Sequence, residues 1–217
     1  MCARYVIKDD YPEKVESLFK LLNGGLSEET AGMIDSFSRP GDVFPSEKAL
    51  VMAGTNYETG VTGGIGEITG AFDKIIPMQM TWGLHGKNNG LMINARTETA
   101  LQKPSFSDSL QQRRILIPAS GFYEWDSQRT KHTFTLPDND IILLAGFWRK
   151  EENGDHFIIM TREANGSMSP VHDRMPLIVA PEEVDDWFDP GGAYVSLMKK
   201  ELPLLERVTS EGQMSLF

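Results

Sequence analysis

An α+β domain built around a mixed, curved or barrel-like β-sheet with flanking helices is the fold this sequence predicts. Two observations carry the prediction: short apolar runs recur between turn-forming clusters, and few stretches show helical spacing. A chain of 217 residues can bury a sizeable core in one compact domain without disulfide staples.

Val15, Leu18, Phe19 and Leu22 recur at helical spacing behind Pro12, a residue tolerated in a first turn, and Asn23-Gly24-Gly25 ends the pattern. One amphipathic helix is expected there. Apolar runs follow at residues 49–52, 75–80, 115–117, 141–147, 157–160 and 177–179, each of strand length. Turn-forming clusters at 60–70, 87–90, 138–140 and 151–155 separate them. Later helices are expected at 182–188, rich in surface acid, and at 194–202. The domain should end at residue 208, leaving 209–217 as a mobile tail that starts polar and finishes in Met214-Ser215-Leu216-Phe217.

With 31 acidic and 21 basic residues the formal charge is −10, which argues against a nucleic-acid partner unless basic charge is concentrated locally. No stretch approaches the roughly 20 apolar residues of a membrane span, and no apolar signal region follows Met1-Cys2-Ala3-Arg4. The single cysteine, Cys2, cannot close an intramolecular disulfide. A cytoplasmic protein is expected. His85, His132 and His156 have no spacing with that cysteine that would make a zinc site, and no metal or other cofactor is expected.

Cys2 is the first residue with distinctive chemistry. Removal of Met1, which a small second side chain favours, would leave it as an N-terminal 1,2-aminothiol. An α-amine has a reference pKa of about 7.7 to 8.0 and a thiol of about 8.5, so part of each is nucleophilic near neutrality. Such a pair condenses with an aldehyde. The amine forms an imine with loss of water, and the thiolate closes on the same carbon to give a five-membered thiazolidine.

Four further segments stand in order along the chain: Thr81-Trp82-Gly83-Leu84, Ile93-Asn94-Ala95-Arg96-Thr97-Glu98, Gly121-Phe122-Tyr123-Glu124-Trp125 and Pro170-Val171-His172-Asp173-Arg174-Met175-Pro176. Together with the N-terminal Met1-Cys2-Ala3-Arg4 they resemble the SOS-response-associated peptidase (SRAP) family of abasic-site-processing proteins, from residue 2 to about residue 180. The resemblance implies a SRAP-like domain, and a cross-link to abasic sites in single-stranded DNA through Cys2. Ala3 departs from the glycine frequent after that cysteine. The segment Asp42-Val43-Phe44-Pro45-Ser46 lacks the Asn-x-Ala-Pro word often found there, which leaves one DNA-contacting loop open.

Glu124 lies in an aromatic run that alternates like a strand entering a core, and a carboxyl group withdrawn from water is suited to proton exchange. The resemblance implies that it assists opening of the sugar to its aldehyde form. His172 could shuttle protons between amine, imine and sugar oxygens, and by resemblance it is catalytic. The amide of Asn94 could orient the Cys2 amine or a sugar hydroxyl, although asparagine in such a run is also a common turn residue. Arg4, Arg96 and Arg174 belong to motifs that meet at Cys2 in the family, and forked guanidinium groups suit phosphates. Clustered, they would act locally, because the Debye length near physiological salt is about 8 Å. Trp82 is either a stacking face for a base or a core residue. Arg113, Arg114 and Thr161 are weaker candidates for contacts to the DNA backbone.

These residues lead to the expectation of a covalent abasic-site sensor acting in DNA repair and the SOS response, shielding the lesion during replication. Lyase activity and peptidase-type self-removal of the first residue are expected beside it. Two other readings use the same residues: a thiol peptidase with Cys2 as nucleophile and His172 as base, and a non-catalytic reader of single-stranded or modified DNA. Gln213, Met214, Leu216 and Phe217 resemble the short peptide by which bacterial repair factors dock on the sliding clamp, with Met214 in place of the usual leucine. The expected partners are therefore abasic single-stranded DNA and the clamp, with a place at the nucleoid.

Overall fold

The computed structural model describes residues 3–55, 75–86, 90–137 and 140–209. Cys2, the expected turn cluster at 60–70 and the tail from residue 210 onward lie outside them.

The expected apolar runs become β3 (Lys48–Gly54), β4 (Ile75–Trp82), β8 (Arg114–Ala119), β11 (Ile142–Glu151) and β12 (Gly154–Glu163). β12 pairs in parallel with β4 and antiparallel with β11, β11 pairs with β8, β8 with β3, and β3 with β4. The pairing returns to its start, so five strands close into a barrel with no exposed edge along that path. Every residue of β8 is buried, as expected for a strand covered on both faces. Short strands extend the barrel: β7 (Asn94–Arg96) and β13 (Arg174–Pro176) both join β12, and β14 (Ile178–Val179) joins β11. β5 (Leu84–His85) and β6 (Leu91–Met92) form a separate small ribbon.

A second, five-stranded sheet has the order β15 (Glu206–Thr209), β10 (Lys131–Thr135), β9 (Gly121–Trp125), β1 (Tyr5–Ile7), β2 (Gly41–Val43). Only Ser120 separates β8 from β9, so one length of chain serves both sheets. At that crossing the Ser120 N–H donates to Val6 O at 2.9 Å and its hydroxyl accepts from Lys8 N–H at 3.0 Å.

Helix α1 (Tyr11–Asn23) buries Tyr11, Val15, Leu18 and Phe19 and ends on Gly24 at φ 73°, as its sequence predicted. α2 (Glu28–Phe37) is an additional helix, capped by the Ser27 hydroxyl accepting from Thr30 N–H. α3 (Thr97–Ala100) and α4 (Pro104–Gln112) fill the connection before β8. The expected helix at 182–188 begins with a 3-10 turn at Pro181–Glu183 and continues as α5 (Val184–Phe188).

The helix expected at 194–202 is shorter, α6 (Tyr194–Leu197). Side-chain donors take over the carbonyls a longer helix would have used: Arg162 binds Met198 O and Lys200 O, and Asn165 binds Leu202 O and Pro203 O. Thr209, counted with the tail in the sequence, is the last residue of β15 and pairs with His132. Among the described residues, no helix is long and apolar enough to cross a membrane.

Candidate active site

Glu124 projects from β9 on the same face as Phe122, which stacks on Phe134 at 5.4 Å, and so its carboxylate is carried into the interior at 4% exposure. Its Oε1 lies 3.5 Å from His172 Nε2. His172 is positioned by the turn before β13, where its N–H donates to Met168 O at 3.1 Å. Its Nδ1 is 2.9 Å from two groups that ask for opposite protonation: Arg174 N–H, a donor, and Asp173 Oδ1, an acceptor. The Asp173 side chain is 87% exposed and solvated, so the backbone donor decides the neutral tautomer. Nδ1 accepts, and the proton sits on Nε2, facing Glu124.

From His172 the contacts run on to the basic residues. Arg174 forks onto Glu98 at 2.7 and 2.8 Å and donates to Thr161 O at 2.7 Å. That bidentate pairing holds the Glu98 carboxyl at about 2, well below the usual range. Thr161 is in register with Arg96 of β7 on one side and Pro176 of β13 on the other. Arg96 is exposed, and half-buried Asn94 lies two residues before it, on the same face of the strand.

β1 brings the N-terminal segment to the same strand as Glu124. Tyr5 is opposite Phe122, and the Tyr123 N–H donates to Arg4 O at 3.0 Å, so the chain ahead of Arg4 runs toward Glu124. The Arg4 guanidinium stands 4.3 Å from the Phe44 ring, 5.1 Å from the Trp125 ring and 3.5 Å from Asp42. Burial, with the Asp42 carboxylate beside it, pushes the Tyr123 hydroxyl up to about 12 and keeps it a donor. Phe44 and Trp125 were not singled out from the sequence. Alternation in Gly121-Phe122-Tyr123-Glu124-Trp125 is the signal that could have found Trp125, since it sends Tyr123 and Trp125 to the face opposite Glu124.

Three expected DNA contacts need correction. Trp82 has no exposed surface: its indole N–H donates to Ile93 O at 3.0 Å and its ring stacks on Phe157 at 6.3 Å, so it is a core residue and offers no face to a base. Arg114 is 1% exposed and spends its guanidinium on Trp187 O, Leu110 O, Gln111 O and Asp189 O. It knits backbone together and reaches no phosphate. Thr161 is fully buried and contributes its carbonyl to Arg174 instead of a contact to DNA. His132 is bound by Asp126 and Thr209, both at 3.1 Å, while His85 and His156 meet at Glu151. Cys2, Gln213, Met214, Leu216 and Phe217 lie outside the described residues.

The profile of the SOS response associated peptidase (SRAP) family matches residues 1–213. Abasic site processing protein YoqW of Bacillus subtilis is 30% identical over 200 residues, which cover 88% of this chain and 81% of that one. Abasic site processing protein YedK of Escherichia coli is 30% identical over 103 residues, 44% of this chain and 46% of its own. Among solved structures, a phage-related protein of Bordetella bronchiseptica superposes with a TM-score of 0.71 at 21% identity, over 97% of this chain and 95% of that one. A Bacteroides thetaiotaomicron protein reaches 0.69 at 17% identity, over 96% and 91% of the two chains. At such identities the structural likeness establishes the fold, and the profile, which spans both the barrel and the second sheet, establishes the kinship: this chain belongs to the SRAP family.

Proposed function

We propose that this protein captures abasic sites in single-stranded DNA as a covalent thiazolidine on Cys2, once Met1 has been removed, and so shields the lesion during replication. The observation that carries this reading is the 3.5 Å contact between Glu124 and His172, on the strand toward which the N-terminal segment runs. The relatives named as abasic site processing proteins support the same substrate.

The cyclic sugar must open first, which requires loss of the hemiacetal proton and protonation of the ring oxygen. Glu124 and His172 together can remove one proton and supply the other. The Cys2 amine then adds to the C1′ aldehyde, and the aldehyde oxygen leaves as water to give an imine. The thiolate attacks the imine carbon and the nitrogen takes up a proton, closing the ring. Aldehyde and aminothiol thus yield thiazolidine and water, with no change of oxidation state. Arg4, Arg96 and Arg174 hold the flanking phosphates, Asn94 orients the amine or a sugar hydroxyl, and exposed Phe44 with half-buried Trp125 offers a base the stacking surface that Trp82 lacks. Release of Met1 is the peptidase side of the site, and its lyase side is β-elimination from the imine before the ring closes, in which a base takes a C2′ proton and the 3′ phosphate leaves as the C3′–O bond breaks.

A denaturing gel with single-stranded DNA carrying one abasic site tests the proposal. Wild type should give a heat-stable adduct, Cys2→Ala none, and Cys2→Ser at most an imine trapped by borohydride. Glu124→Gln should slow adduct formation by about 10²-fold at saturating DNA while leaving binding nearly intact. An equal yield from Cys2→Ala would sink the mechanism, and reversible, salt-sensitive binding without any adduct would favour the non-catalytic reader.

The tail adds a partner to this reading: Gln213, Met214, Leu216 and Phe217 dock on a bacterial sliding clamp. β15, from which the tail departs, is an exposed edge strand of the five-stranded sheet, which keeps the departure point clear of the core. Gln213 would bind the pocket rim while the apolar residues fill its subsites, with modest affinity. Titrating purified clamp with the full chain should give binding that Leu216→Ala with Phe217→Ala weakens at least tenfold. Equal binding by the double variant removes the clamp from the account.

A further inference from the structure

Three side chains outside the site described above meet where β5, β11 and β12 adjoin. His85 ends β5, Glu151 ends β11 and His156 lies near the start of β12. The hairpin register, Arg149 opposite His156 and Glu151 opposite Gly154, sets Glu151 and His156 on one face, two rungs apart. Gly83 makes the turn that carries His85 onto them at φ 116°, a backbone conformation that favours glycine.

One nitrogen of each imidazole and one oxygen of the carboxylate all lie within 4.8 Å of one another. His85 Nδ1 is 2.5 Å from Glu151 Oε2, and His156 Nδ1 is 4.0 Å from the same oxygen. The other carboxylate oxygen, Oε1, is already held by Arg149 at 2.5 Å and by His85 N–H at 3.0 Å. Glu151 is therefore anchored through one oxygen and presents the other to the imidazoles. His156 is 2% exposed, and its contact with Gly83 O at 2.7 Å makes Nδ1 the donor of the neutral ring. That leaves a lone pair on Nε2, which is buried and has no hydrogen-bond partner among the described residues. A backbone carbonyl fixing the tautomer in this way is the usual outer support of a metal-binding histidine.

We propose that His85, Glu151 and His156 bind a divalent cation of the zinc type, which staples the Gly83 turn to the β11–β12 hairpin. Two imidazoles and one carboxylate suit zinc, whereas calcium and magnesium select oxygen donors. Bond lengths of about 2.0 to 2.2 Å in a tetrahedral site set donors about 3.3 to 3.5 Å apart. His85 and Glu151 must separate for an ion to enter, and His156 must present Nε2, since its Nδ1 is held by Gly83 O, with water completing the coordination. The His85 side chain is 47% exposed and opens the path to solvent. Burial works against the charge of Glu151, but hydrogen bonds from Arg149 and His85 outweigh it and hold its carboxyl below the ordinary range. The carboxylate is thus ionised at neutral pH and offers Oε2 as a charged ligand. The Arg149 guanidinium beside the site moderates the affinity without blocking Oε2.

The test uses the full chain without a purification tag, titrated with Zn²⁺ against a chromophoric chelator. Wild type should take up one ion per chain, and His85→Asn and Glu151→Gln should each weaken uptake at least tenfold. Cys2→Ser should retain it, which separates this site from the thiol. Zn²⁺ should also raise the melting temperature of wild type and leave that of His85→Asn unmoved. His85 is exposed, so that variant folds and keeps the test decisive even where a His156 variant does not. If wild type binds no Zn²⁺, or both variants bind as wild type does, the cluster is a proton-bridged ion pair only and the proposal fails.

Discussion

The Arg114 guanidinium lies buried beneath α5 and α6 with its donors spent on four backbone carbonyls and its plane 3.9 Å from the Tyr194 ring centre. Arg114→Met keeps most of the stem's volume but leaves those carbonyls in the core without donors, and should cost about 3 kcal/mol or more in urea unfolding. Affinity for single-stranded DNA, measured on folded protein, should be unchanged. A loss of affinity without a loss of stability would return Arg114 to the DNA path. The sequence could not tell these roles apart because a guanidinium satisfies carbonyls and phosphates equally well, and the deciding carbonyl of Trp187 is 73 residues away. Trp82 was ambiguous in its own way, because an indole face stacks on a base as readily as it packs in a core. Glu124 was more legible, since an acid inside an alternating aromatic run must be carried inward with Phe122.

At the scale of elements, the Arg174–Glu98 fork clips α3 to β13, and its sensitivity to acid can be given a sign. Folding lowers the Glu98 carboxyl from 4.5 to about 2, so the stabilisation is complete above about pH 4.5 and is lost as the pH falls toward 2. With the Glu98 side chain 48% exposed, solvent screening reduces the contribution to about 1 kcal/mol. Glu98→Gln should therefore be less stable than wild type by that amount at pH 6, with the gap narrowing in urea melts between pH 4 and pH 2.5. A gap that is constant with pH would mean the clip does not act through charge. The long barrel strands were legible because apolar runs at 49–52, 75–80 and 141–147 have no other use in a chain of this composition. The three-residue strands β1 and β2 were not, because at that length register with a partner makes the strand and propensity decides little. Closure of the barrel depends on the parallel pairing of β4 with β12, a choice of partner that periodicity cannot express. The cluster of His85, Glu151 and His156 was hidden similarly: its spacing looks like nothing until the Gly83 turn and the β11–β12 hairpin bring the three together.

The whole molecule carries a formal charge of −10, yet the proposed substrate is a polyanion. Long-range repulsion should slow the encounter with DNA at low salt, and at about 0.15 M salt, where the Debye length is about 8 Å, distant acids should matter little beside the local groups. Those local groups are already partly engaged, Arg174 with Glu98 and Arg4 with Asp42, while Arg96 is exposed. A phosphate must displace Glu98 to reach Arg174, so Glu98→Gln should bind abasic single-stranded DNA several-fold more tightly even though it folds less stably. With three arginines engaged, the logarithm of affinity should fall against the logarithm of salt concentration with a slope of about −2, at about −0.7 per contact for a single strand. Arg96→Ala and Arg174→Ala should each flatten that slope by about one contact, and binding measured from 50 to 300 mM salt on the Cys2→Ala background keeps covalent capture from obscuring equilibrium. If neither variant changes the slope, the strand does not cross the β7–β12–β13 side of the site. Recognition would then rest on Arg4 with Phe44 and Trp125, where stacking, which salt hardly affects, should carry most of the affinity.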